Sequence, residues 1–538
     1  MDPVIIVGAG PVGLALSLGL AVRNVPSVII DDGTDANAVR FTRTAVLRPD
    51  TVAWVRRLGF DTVWDKGASW AGWRFMHGRR HARTLPLSPD RRAAPLHIAQ
   101  HDLTHGLRNA IAALPPSKDL VHVVTNSRVD ALEQDPDGVT AHTRGPVPTT
   151  WRGSYLVGCD GARSTVRKLL GVRFPGRTAV ERHAVAALRT ELPWTGEAVL
   201  HRMPPWSKGG EVTARPLLDE AWRLDWLLPP RGDLVTPEAL VAQIRETLAG
   251  WCDDTPAYEL VDTGVYTLHH RLARRWRVDR AFLAGDAAHL LGALGTQGLD
   301  EGLRDVENLA WKLAEAWHDG GPAEVLLDSY QAERRTAVAS RLRAADQSLP
   351  VLRGGGGLRT YLRGGARQHD ALLTDGHLGR GPLGAPPAYR HSPLAPLDPE
   401  GAVEVGTAAG APVADVPVTA PDGTTGWLRD RLGRGLLVVL VAPGTGVWDR
   451  RHWVTAGVMP RLAETVRTLP LRGELLVTEA YPGAAAHTVL LVRPDGHLAA
   501  AFTGVHPPSL HAAAEALRGN APGQASAEAP EEATAQAH

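Results

Sequence analysis

The sequence predicts an α/β protein in which a helix-flanked parallel sheet carries an inserted antiparallel sheet, and a smaller α/β domain follows. Three observations favour this fold class. A strand, a glycine-rich turn and a helix follow one another at three places between Val4 and Leu313. Residues 174–270 instead alternate apolar and polar side chains in short runs. The length of 538 residues exceeds what one hydrophobic core supports.

The first segment is organised as a βαβ unit. The apolar run Val4–Val7 predicts a buried strand, and residues 14–22 predict a helix. Ser27–Ile30 predicts a second strand, which ends at Asp31. An acidic residue at this position is suited to accept hydrogen bonds from an adenosine ribose.

Three glycines, Gly8, Gly10 and Gly13, join this strand and helix as G-x-G-x-x-G. The first permits a tight turn, the second lets the backbone approach a pyrophosphate, and the third lets the helix pack on the strand. The order of strand, turn, helix, strand and acidic residue predicts a Rossmann-like dinucleotide-binding domain. The alternative is an ordinary tightly packed βα turn. It is weaker because it explains the glycines but not the second strand and the acidic residue that follow them.

The second segment, Tyr155–Gly171, runs from an apolar strand into Asp160-Gly161 and then a helix. Arg163 and Arg167 stand beside the helix start, where guanidinium groups suit a phosphate. A turn aspartate with two surface arginines explains the same residues equally well.

The third segment, Ala281–Leu313, contains a strand, Gly285-Asp286, a glycine-rich loop and a long amphipathic helix. Gly295–Gly298 can bring backbone N–H groups close to a planar ring system. A plain strand-to-helix connection is the alternative. A separate candidate, Arg43, lies in the predicted loop that follows the βαβ unit, where it is either a solvated charge or a residue that faces an anionic cofactor.

The inserted segment carries five tryptophans, which either line a flat apolar ligand site or belong to the hydrophobic core: Trp194, Trp206, Trp222, Trp226 and Trp251.

The sequence predicts three domains, a linker and a tail. Residues 1–174 and 275–349 form the nucleotide domain, and residues 175–274 form the inserted substrate-binding sheet. Residues 350–400 form a linker, residues 401–519 a C-terminal α/β domain, and residues 520–538 a disordered tail.

Composition narrows the classes of function. The formal net charge is zero, so nothing favours nucleic acid or an anionic membrane as a partner. The uncharged run of residues 4–22 is interrupted by four glycines and Pro11, which argues against a membrane span or signal peptide. Cys159 and Cys252 are too few for a disulfide framework, a zinc site or a CxxC pair, and no metal site is expected. A reducing, cytoplasmic setting is therefore expected.

Together the three segments resemble the class A flavin-dependent monooxygenases, in particular aromatic hydroxylases of the phenol hydroxylase and polyketide-hydroxylase type. The resembling motifs are G-x-G-x-x-G, GCDGARSTVRKLLG and FLAGDAAH, followed by GTQGLDEGLRDVENLAWKL and LLDSYQAERR. The resemblance extends from Met1 to about Gly519. It implies a Rossmann-like FAD-binding domain, an inserted antiparallel substrate sheet and a thioredoxin-like C-terminal domain without CxxC.

The resemblance further implies FAD as cofactor, with NADPH or NADH and O2 as co-substrates. One oxygen atom would enter a phenolic or polyketide aromatic substrate through a C4a-hydroperoxyflavin. The residues implied to bind the cofactor are Gly8, Gly10, Gly13, Asp31, Arg43, Gln100, Asp160, Gly161, Arg163, Gly285, Asp286, Gly298 and Leu299. The residues implied at the reactive edge are Gly295, Thr296, Gln297 and Gly298. A homodimer is one candidate assembly.

The chain departs from the family pattern at Gly292 and Ala293, where prolines are usual, at Thr296, and at Asp300-Glu301, where Asn-Thr is frequent. Two alternatives to aromatic hydroxylation stay open. One is a Baeyer–Villiger or ring-cleaving reaction on a polyketide ketone, which the Gly292-Ala293 departure favours, and the other is a FAD-bearing binding protein that does not oxygenate. Candidate bases for the substrate are four histidines, which equally fit structural roles: His183, His201, His269 and His270.

Overall fold

The computed structural model describes residues 1–33, 40–206, 210–228, 236–291, 297–321, 323–352, 374–378, 380–397, 400–444 and 457–520. The chain forms two compact units. One contains Met1–Ala310 and Arg334–Pro386, and the other contains Trp311–Glu333 and Pro387–His538. Residues 521–538 of the predicted disordered tail, and much of the predicted linker, lie outside the described residues. The sequence-based domain boundaries stay predictions.

The described strands, in chain order, are β1 (Val4–Val7), β2 (Ser27–Ile30), β3 (Thr44–Leu47), β4 (Gly67–Ser69), β5 (Gly72–His77), β6 (Arg80–Pro86), β7 (Leu96–Ala99), β8 (Val121–Val124), β9 (Arg128–Asp135), β10 (Gly138–Arg144), β11 (Thr149–Gly153), β12 (Tyr155–Gly158), β13 (Gly176–Arg189), β14 (Glu197–Arg202), β15 (Glu211–Pro216), β16 (Ala221–Leu228), β17 (Glu259–Leu272), β18 (Arg277–Val278), β19 (Ala281–Leu283), β20 (His289–Leu291), β21 (Pro417–Thr419), β22 (Thr425–Trp427), β23 (Leu436–Val441), β24 (Gly473–Thr478), β25 (Thr488–Val492) and β26 (Leu498–Thr503).

The described α-helices are α1 (Pro11–Ala21), α2 (Pro49–Arg57), α3 (Gln100–Ala112), α4 (Thr165–Leu169), α5 (Pro237–Cys252), α6 (Gln297–Asp319), α7 (Glu324–Tyr330), α8 (Thr336–Leu352), α9 (Gly381–Gly384), α10 (Leu428–Arg431), α11 (Val458–Thr468) and α12 (Pro507–Leu517). Residues 374–378 are also helical. Short 3₁₀ turns occupy Asp61–Asp65, Pro116–Lys118 and Gly285–Ala287, and a π-helical turn occupies Gln331–Arg335.

The first unit is centred on a six-stranded sheet with the order β18-β19-β12-β1-β2-β8. Its strands pair in parallel except for the antiparallel edge pair β18 and β19. All four residues of β1 are buried, as expected for a strand that helices cover on both faces. Helix α1 begins at Pro11, a residue that is favoured at the first helical position.

An eight-stranded sheet with the order β20-β17-β13-β16-β15-β14-β5-β6 also belongs to the first unit. The pairing is antiparallel apart from β14 with β5. The sheet extends beyond the predicted inserted segment, because residues 72–86 and 289–291 supply three of its strands. Helix α5 packs on one face, and its N-terminus is capped by the Thr236 hydroxyl, which accepts from Ala239 N–H.

The second unit contains a six-stranded sheet with the order β22-β21-β24-β23-β25-β26. Strands β23 and β24 pair in parallel, whereas β25 and β26 continue the sheet in antiparallel fashion. Alternate residues of β23 contribute to two apolar clusters, one on each face of the sheet. Of the residues described in either unit, none lies in a helix long and apolar enough to cross a membrane.

Candidate active site

The three glycine segments meet at one edge of the six-stranded sheet. Strand β12 lies between β1 and β19, with Gly158 in register with Val7 on one side and Leu283 on the other. Because the three strands are parallel, their carboxyl ends share one edge, which is where open α/β sheets bind ligands. The three motifs therefore converge at one edge of the sheet in the structure.

Gly8, Gly10 and Gly13 differ in the space around them. Gly8 has a φ of +109°, and a Cβ there would lie 2.6 Å from the Cys159 carbonyl oxygen. A Cβ on Gly13 would lie 2.0 Å from the Gly8 oxygen, whereas a Cβ on Gly10 would meet no atom within 4 Å. Packing thus requires glycine at Gly8 and Gly13, whereas Gly10 leaves open space at the N-terminus of α1. This is the cradle that a pyrophosphate requires.

Asp31 holds the cradle from the end of β2. Its Oδ2 accepts the Ala9 N–H at 2.6 Å, and its Oδ1 accepts the Gly33 N–H at 2.8 Å. The carboxylate is partly exposed and remains on the binding edge. Its placement agrees with the predicted ribose contact, which stays a prediction.

The Asp160 carboxylate hydrogen-bonds to groups at the start of α4. One oxygen accepts the Thr165 and Val166 N–H groups at 2.6 and 3.0 Å, and the other accepts the Ser164 hydroxyl at 2.6 Å. Asp160 therefore stabilises the start of α4, which is the structural alternative for this residue. Its predicted cofactor contact stays a prediction.

Arg163 and Arg167 have different surroundings in the same turn. Arg163 is exposed beside Gly161, as a phosphate contact requires. Arg167 is buried and donates to the carbonyl oxygens of Ala287 at 2.8 Å and Ala162 at 2.9 Å. Arg167 thus joins the second segment to the third, a role that the sequence does not distinguish from that of Arg163.

The third segment turns at Gly285, whose φ is +60° and whose N–H donates to Asp305 at 3.0 Å. The next residue, Asp286, is exposed at the binding edge. A Cβ on Gly298 would lie 3.6 Å from Asp286 Oδ1, so these two predicted contacts are neighbours, and Leu299 beside them is partly buried. Gly292, Ala293, Gly295 and Thr296 lie outside the described residues, as does the side chain of Gln297.

Arg43 and Gln100 are also brought together. The Gln100 N–H donates to the Arg43 carbonyl oxygen at 2.8 Å, which joins the loop before β3 to the start of α3. The Arg43 side chain is exposed and that of Gln100 is partly exposed. Gln100 is the first residue of α3 and directly follows Ala99, the last residue of β7.

Asp300 and Glu301, the acidic pair at the start of α6, belong to a buried ion network. Glu301 Oε1 lies 2.6 Å from Arg304 and 2.9 Å from Arg341, and Oε2 lies 2.8 Å from Arg334. Three guanidinium groups hold the pKa of Glu301 well below its usual value, despite burial. Asp300 accepts the Arg48 N–H at 3.0 Å. The sequence contains these arginines but gives no sign that they meet.

Three of the four candidate histidine bases occupy structural positions or the sheet surface, and the fourth, His183, is partly buried with its ring stacked on that of Tyr266 at a centroid distance of 5.2 Å. His201 is buried, accepts the Trp251 indole N–H at 2.9 Å and contacts the Gly78 carbonyl oxygen at 2.7 Å. Burial lowers its pKa, so it is a satisfied core residue. His269 lies 3.1 Å from the Thr178 hydroxyl, and buried His270 lies 3.5 Å from an Asp346 oxygen.

The tryptophans of the inserted segment form core. Trp222, Trp226 and Trp251 are buried in the cluster that packs beneath α5, and Trp194 and Trp206 pack against it. Four of the five therefore have a core role without a ligand wall, whereas Trp222 also lines a cavity together with Leu192 and Pro216. Two further tryptophans belong to a separate apolar cluster: Trp73 lies on β5 and Trp70 lies just before it.

The fold and the glycine cradle define a nucleotide-binding protein of the doubly wound α/β class. The chain belongs to the family described as FAD binding domain, whose model matches residues 1–345. This match confirms the predicted kinship with FAD-dependent enzymes and confirms FAD as the cofactor. Open space at Gly10 and the carboxylate of Asp31 fit that cofactor.

Known proteins resemble the chain over different extents. The 3-(3-hydroxy-phenyl)propionate/3-hydroxycinnamic acid hydroxylase of Mycobacterium sp. (strain JLS) is 33% identical over 342 residues, which are 62% of this chain and 57% of that protein. This chain therefore spans little more than half the length of the curated relatives it matches.

Two solved structures cover nearly the whole chain. The anhydrotetracycline hydroxylase OxyS of Streptomyces rimosus is 27% identical with a TM-score of 0.67, over 97% of this chain and 99% of that one. The flavin-dependent monooxygenase PieE, solved with FAD and substrate, is 23% identical with a TM-score of 0.74, over 96% and 99%. The second likeness shows the fold.

Proposed function

We propose that this protein is a FAD-dependent, NAD(P)H-consuming monooxygenase that inserts one atom of O2 into an aromatic, phenolic or polyketide substrate. The observation that carries the proposal is the convergence of Gly10, Asp31, Asp286 and Gly298 on one sheet edge in a chain of the FAD binding family. Two of the similar proteins, a 3-(3-hydroxy-phenyl)propionate/3-hydroxycinnamic acid hydroxylase and an anhydrotetracycline hydroxylase, support the reaction class.

Bound FAD would carry electrons from NAD(P)H to O2, which is chemistry that no side chain supplies. The residues of the chain would bind and orient it. Gly10 and the N-terminus of α1 would receive the pyrophosphate, and Asp31 would accept from the adenosine ribose. Asp286 would hold the ribityl chain beside Gly298, and the backbone of residues 295–298 would donate to the pyrimidine side of the flavin.

The remaining cofactor contacts belong to the same proposal. Arg43 and Gln100, joined through their backbones, would position the flavin, and exposed Arg163 would meet a cofactor phosphate. Asp160-Gly161 would approach the cofactor from the neighbouring strand. The eight-stranded sheet would cover the substrate.

The second unit would be a thioredoxin-like domain retained for packing. A parallel pair, β23 and β24, continued by antiparallel β25 and β26, with helices α11 and α12, supports this assignment. The proposal also retains a cytoplasmic location, a homodimer as candidate assembly, and no nucleic acid or membrane partner.

The test is oxygen incorporation by the FAD-loaded chain. NADPH oxidation, H2O2 release and product mass would be measured with isotopically labelled O2 and a panel of phenols that includes 3-(3-hydroxyphenyl)propionate. One labelled atom per aromatic product supports the proposal. Label in a ring-expanded lactone would show the Baeyer–Villiger alternative. NADPH consumption that ends in H2O2 with every aromatic, or that no aromatic alters, would argue against an oxygenase.

Asp31 and Asp32 provide a matched pair for the cofactor site. Asp31→Asn removes the charge that holds the Ala9 N–H and that would accept from the ribose, whereas Asp32 is exposed beside it. We expect Asp31→Asn to lose FAD during gel filtration and Asp32→Asn to retain it. Equal retention by both variants would contradict the assigned role of Asp31.

A further inference from the structure

A cavity of about 790 Å³ opens at one end of the eight-stranded sheet, and we call it the sheet-end cavity. Its lining includes Thr190 and Leu192, which follow the last residue of β13, and Ala221 and Trp222, the first residues of β16. The three residues of β4, a strand of the separate sheet β3-β7-β4, also line it. The volume lies within the range of about 300–1,000 Å³ that is usual for small-molecule sites.

The sheet-end cavity lies away from the predicted reactive edge at residues 295–298. Gly176 of β13 pairs with Arg271 of β17, and the next residue, Leu272, pairs with His289 of β20, the strand that leads into that edge. The cavity is at the other end of β13, whose 14 residues span about 45 Å at the usual rise. Among the described residues that line the cavity, none is one that the family resemblance implies for the cofactor or the reactive edge. The cavity is therefore a separate site.

Part of the cavity lining is apolar and belongs to a packed core. Leu192 and Trp222 are buried members of the cluster beneath α5, and Pro216, also buried, is the register partner of Trp222. Arg215 and Asp225, which alternate with the apolar residues of β15 and β16, are buried on the opposite face of the sheet. The lining formed by Leu192, Pro216 and Trp222 therefore suits an apolar ring system.

Trp222 differs from the other two buried tryptophans of this cluster. The indole N–H of Trp226 donates to Thr247 at 3.0 Å, and that of Trp251 donates to His201 at 2.9 Å. Trp222 is only 6% exposed, yet no described residue accepts a hydrogen bond from its indole N–H. A buried polar group is normally hydrogen-bonded. Because Trp222 lines the cavity, an occupant of the cavity can supply the acceptor.

The rim of the cavity carries excess negative charge. Its charged lining residues are three carboxylates, Asp65, Glu191 and Glu220, and one guanidinium, Arg91, so the net charge is −2. Asp65 pairs with Arg91 at 3.9 Å, whereas neither glutamate forms an ion pair with a described residue. Both glutamates are exposed at the rim. This charge disfavours an anionic ligand, NADPH among them, and favours a cation.

The backbone turn that carries Glu220 is strained. The Ala221 N–H donates to the Leu218 carbonyl oxygen at 3.1 Å and closes a turn in which Asp219 and Glu220 have φ of +56° and +57°. Glycine and asparagine are the usual residues at such positions, so a glutamate there has a conformational cost. The Glu220 carbonyl oxygen also accepts the Thr190 N–H at 3.2 Å. These hydrogen bonds fix the backbone of Glu220 at the rim.

We propose that the sheet-end cavity binds a small organic cation, a protonated amine on an aromatic or alicyclic ring system. The ring system packs against Leu192, Pro216 and Trp222, and the ammonium group faces the carboxylates of Glu191 and Glu220. The inference does not rest on the proposed function, because no residue of the predicted flavin site takes part. It gives the protein a second ligand, bound independently of FAD.

The experiment compares three probes that share one ring system and differ in charge. Cationic 2-naphthylmethylamine, neutral 2-naphthylmethanol and anionic 2-naphthoate are titrated into the FAD-loaded full-length chain at neutral pH by isothermal titration calorimetry. We expect the amine to bind about tenfold more tightly than the alcohol, a preference that two exposed carboxylates can supply, and naphthoate to bind more weakly than both. The preference should shrink in about 1 M NaCl, because salt screens exposed charges.

The variants separate charge from apolar contact. The double variant Glu191→Gln, Glu220→Gln removes both unpaired carboxylates, so the preference for the amine should fall to about twofold or less while the affinity for the alcohol is unchanged. Leu218→Ala shortens a rim side chain that is 39% exposed, and it should weaken all three probes by about threefold. The control Glu246→Gln removes an exposed carboxylate of α5 outside the cavity and should change nothing. Because the substituted side chains are exposed, every variant should keep the melting temperature of the wild type.

The outcomes are separable from those of the proposed function. The inference is overturned if the wild type binds none of the probes, binds amine and alcohol equally, or keeps its preference in the double variant. A flavin absorption spectrum that changes on addition of the amine, with the preference intact in the double variant, would place the amine at the flavin and equally overturn it. If labelled oxygen still enters phenols in these cases, the proposed function stands without this cavity. A preference that Glu191 and Glu220 carry, with no incorporation into any phenol, would support the cavity and refute the oxygenase.

Discussion

Gly10 and Gly13 allow the cofactor site to be tested separately from the fold. An added methyl group at Gly13 would lie 2.0 Å from the backbone oxygen of Gly8 and 3.3 Å from Ile6 Cγ2. Gly10 has extended backbone angles, with φ −74° and ψ 175°, and a methyl group there would have no neighbour within 4 Å. The two alanine variants therefore differ in whether the added atom meets protein or open space.

The expected magnitudes follow from these contacts. In Gly13→Ala the backbone must move by more than an ångström, and overpacking of this severity costs about 3 kcal/mol. Better helix propensity returns about 1 kcal/mol, so we expect a net loss of about 2 kcal/mol in the apoprotein. Gly10→Ala should change apoprotein stability by less than about 0.5 kcal/mol. Its methyl group would occupy the space of the pyrophosphate and raise the Kd for FAD by at least about tenfold, or about 1.4 kcal/mol.

The assay combines urea unfolding of the apoprotein with titration of FAD by flavin fluorescence. Gly10→Ala with normal stability and weak FAD binding would support the cradle, and Gly13→Ala should show both defects. Wild-type FAD affinity in Gly10→Ala would refute the reasoning, because the pyrophosphate could not then lie against this backbone. A strongly destabilised Gly10→Ala apoprotein would show that the open space is wrongly assigned.

Three further predictions concern buried polar groups. Glu301→Gln should lower the free energy of unfolding in urea by about 3–5 kcal/mol because it leaves three buried guanidinium groups undercompensated, whereas Glu259→Gln in an exposed pair should cost less than about 1 kcal/mol. Because the pKa of Glu301 is lower in the folded than in the unfolded protein, its carboxylate stabilises the fold above the unfolded pKa, and this contribution is lost as the pH falls through the folded pKa. The melting temperatures of Glu301→Gln and wild type, measured by thermal unfolding, should therefore converge in acid and differ near neutrality. Thr247→Val leaves the buried Trp226 indole N–H without its 3.0 Å acceptor and should cost about 1–3 kcal/mol in urea unfolding, and no change would mean that this hydrogen bond is not formed.

The local sequence pattern was sufficient to predict the bounds of β1 and β2. Val4–Val7 and Ser27–Ile30 have the predicted bounds, because each is an apolar run bounded by glycine, proline or aspartate. The predicted helix over residues 14–22 begins earlier, at Pro11, because proline is compatible with the first turn of a helix. Parallel pairing of β1, β12 and β19 then places the three glycine motifs at one edge of the sheet, because each motif directly follows its strand in the sequence.

Long-range pairing was beyond local pattern. Strand β5 lies in the segment before the predicted insert and joins β14 in parallel across more than a hundred residues, which no periodicity reveals. His377 lies in a glycine- and proline-rich stretch that reads as a linker, yet it stacks on Trp73 of that strand. Arg215 and Asp225 alternate with apolar neighbours, a pattern that normally indicates a solvated face. Their burial depends on what covers the sheet.

The acidic departure at Asp300-Glu301 bears on the choice of chemistry. Both side chains are buried, and Glu301 has its two oxygens occupied by three arginines, so this pair is part of the scaffold of α6 and has no free group to direct at a substrate. The acidic pair therefore favours neither reaction, and Gly292-Ala293, the departure that favours the ketone-oxidising alternative, lies outside the described residues. Incorporation of labelled oxygen into a phenol, rather than into a ring-expanded lactone, is therefore the result that would separate the proposed hydroxylation from its alternative.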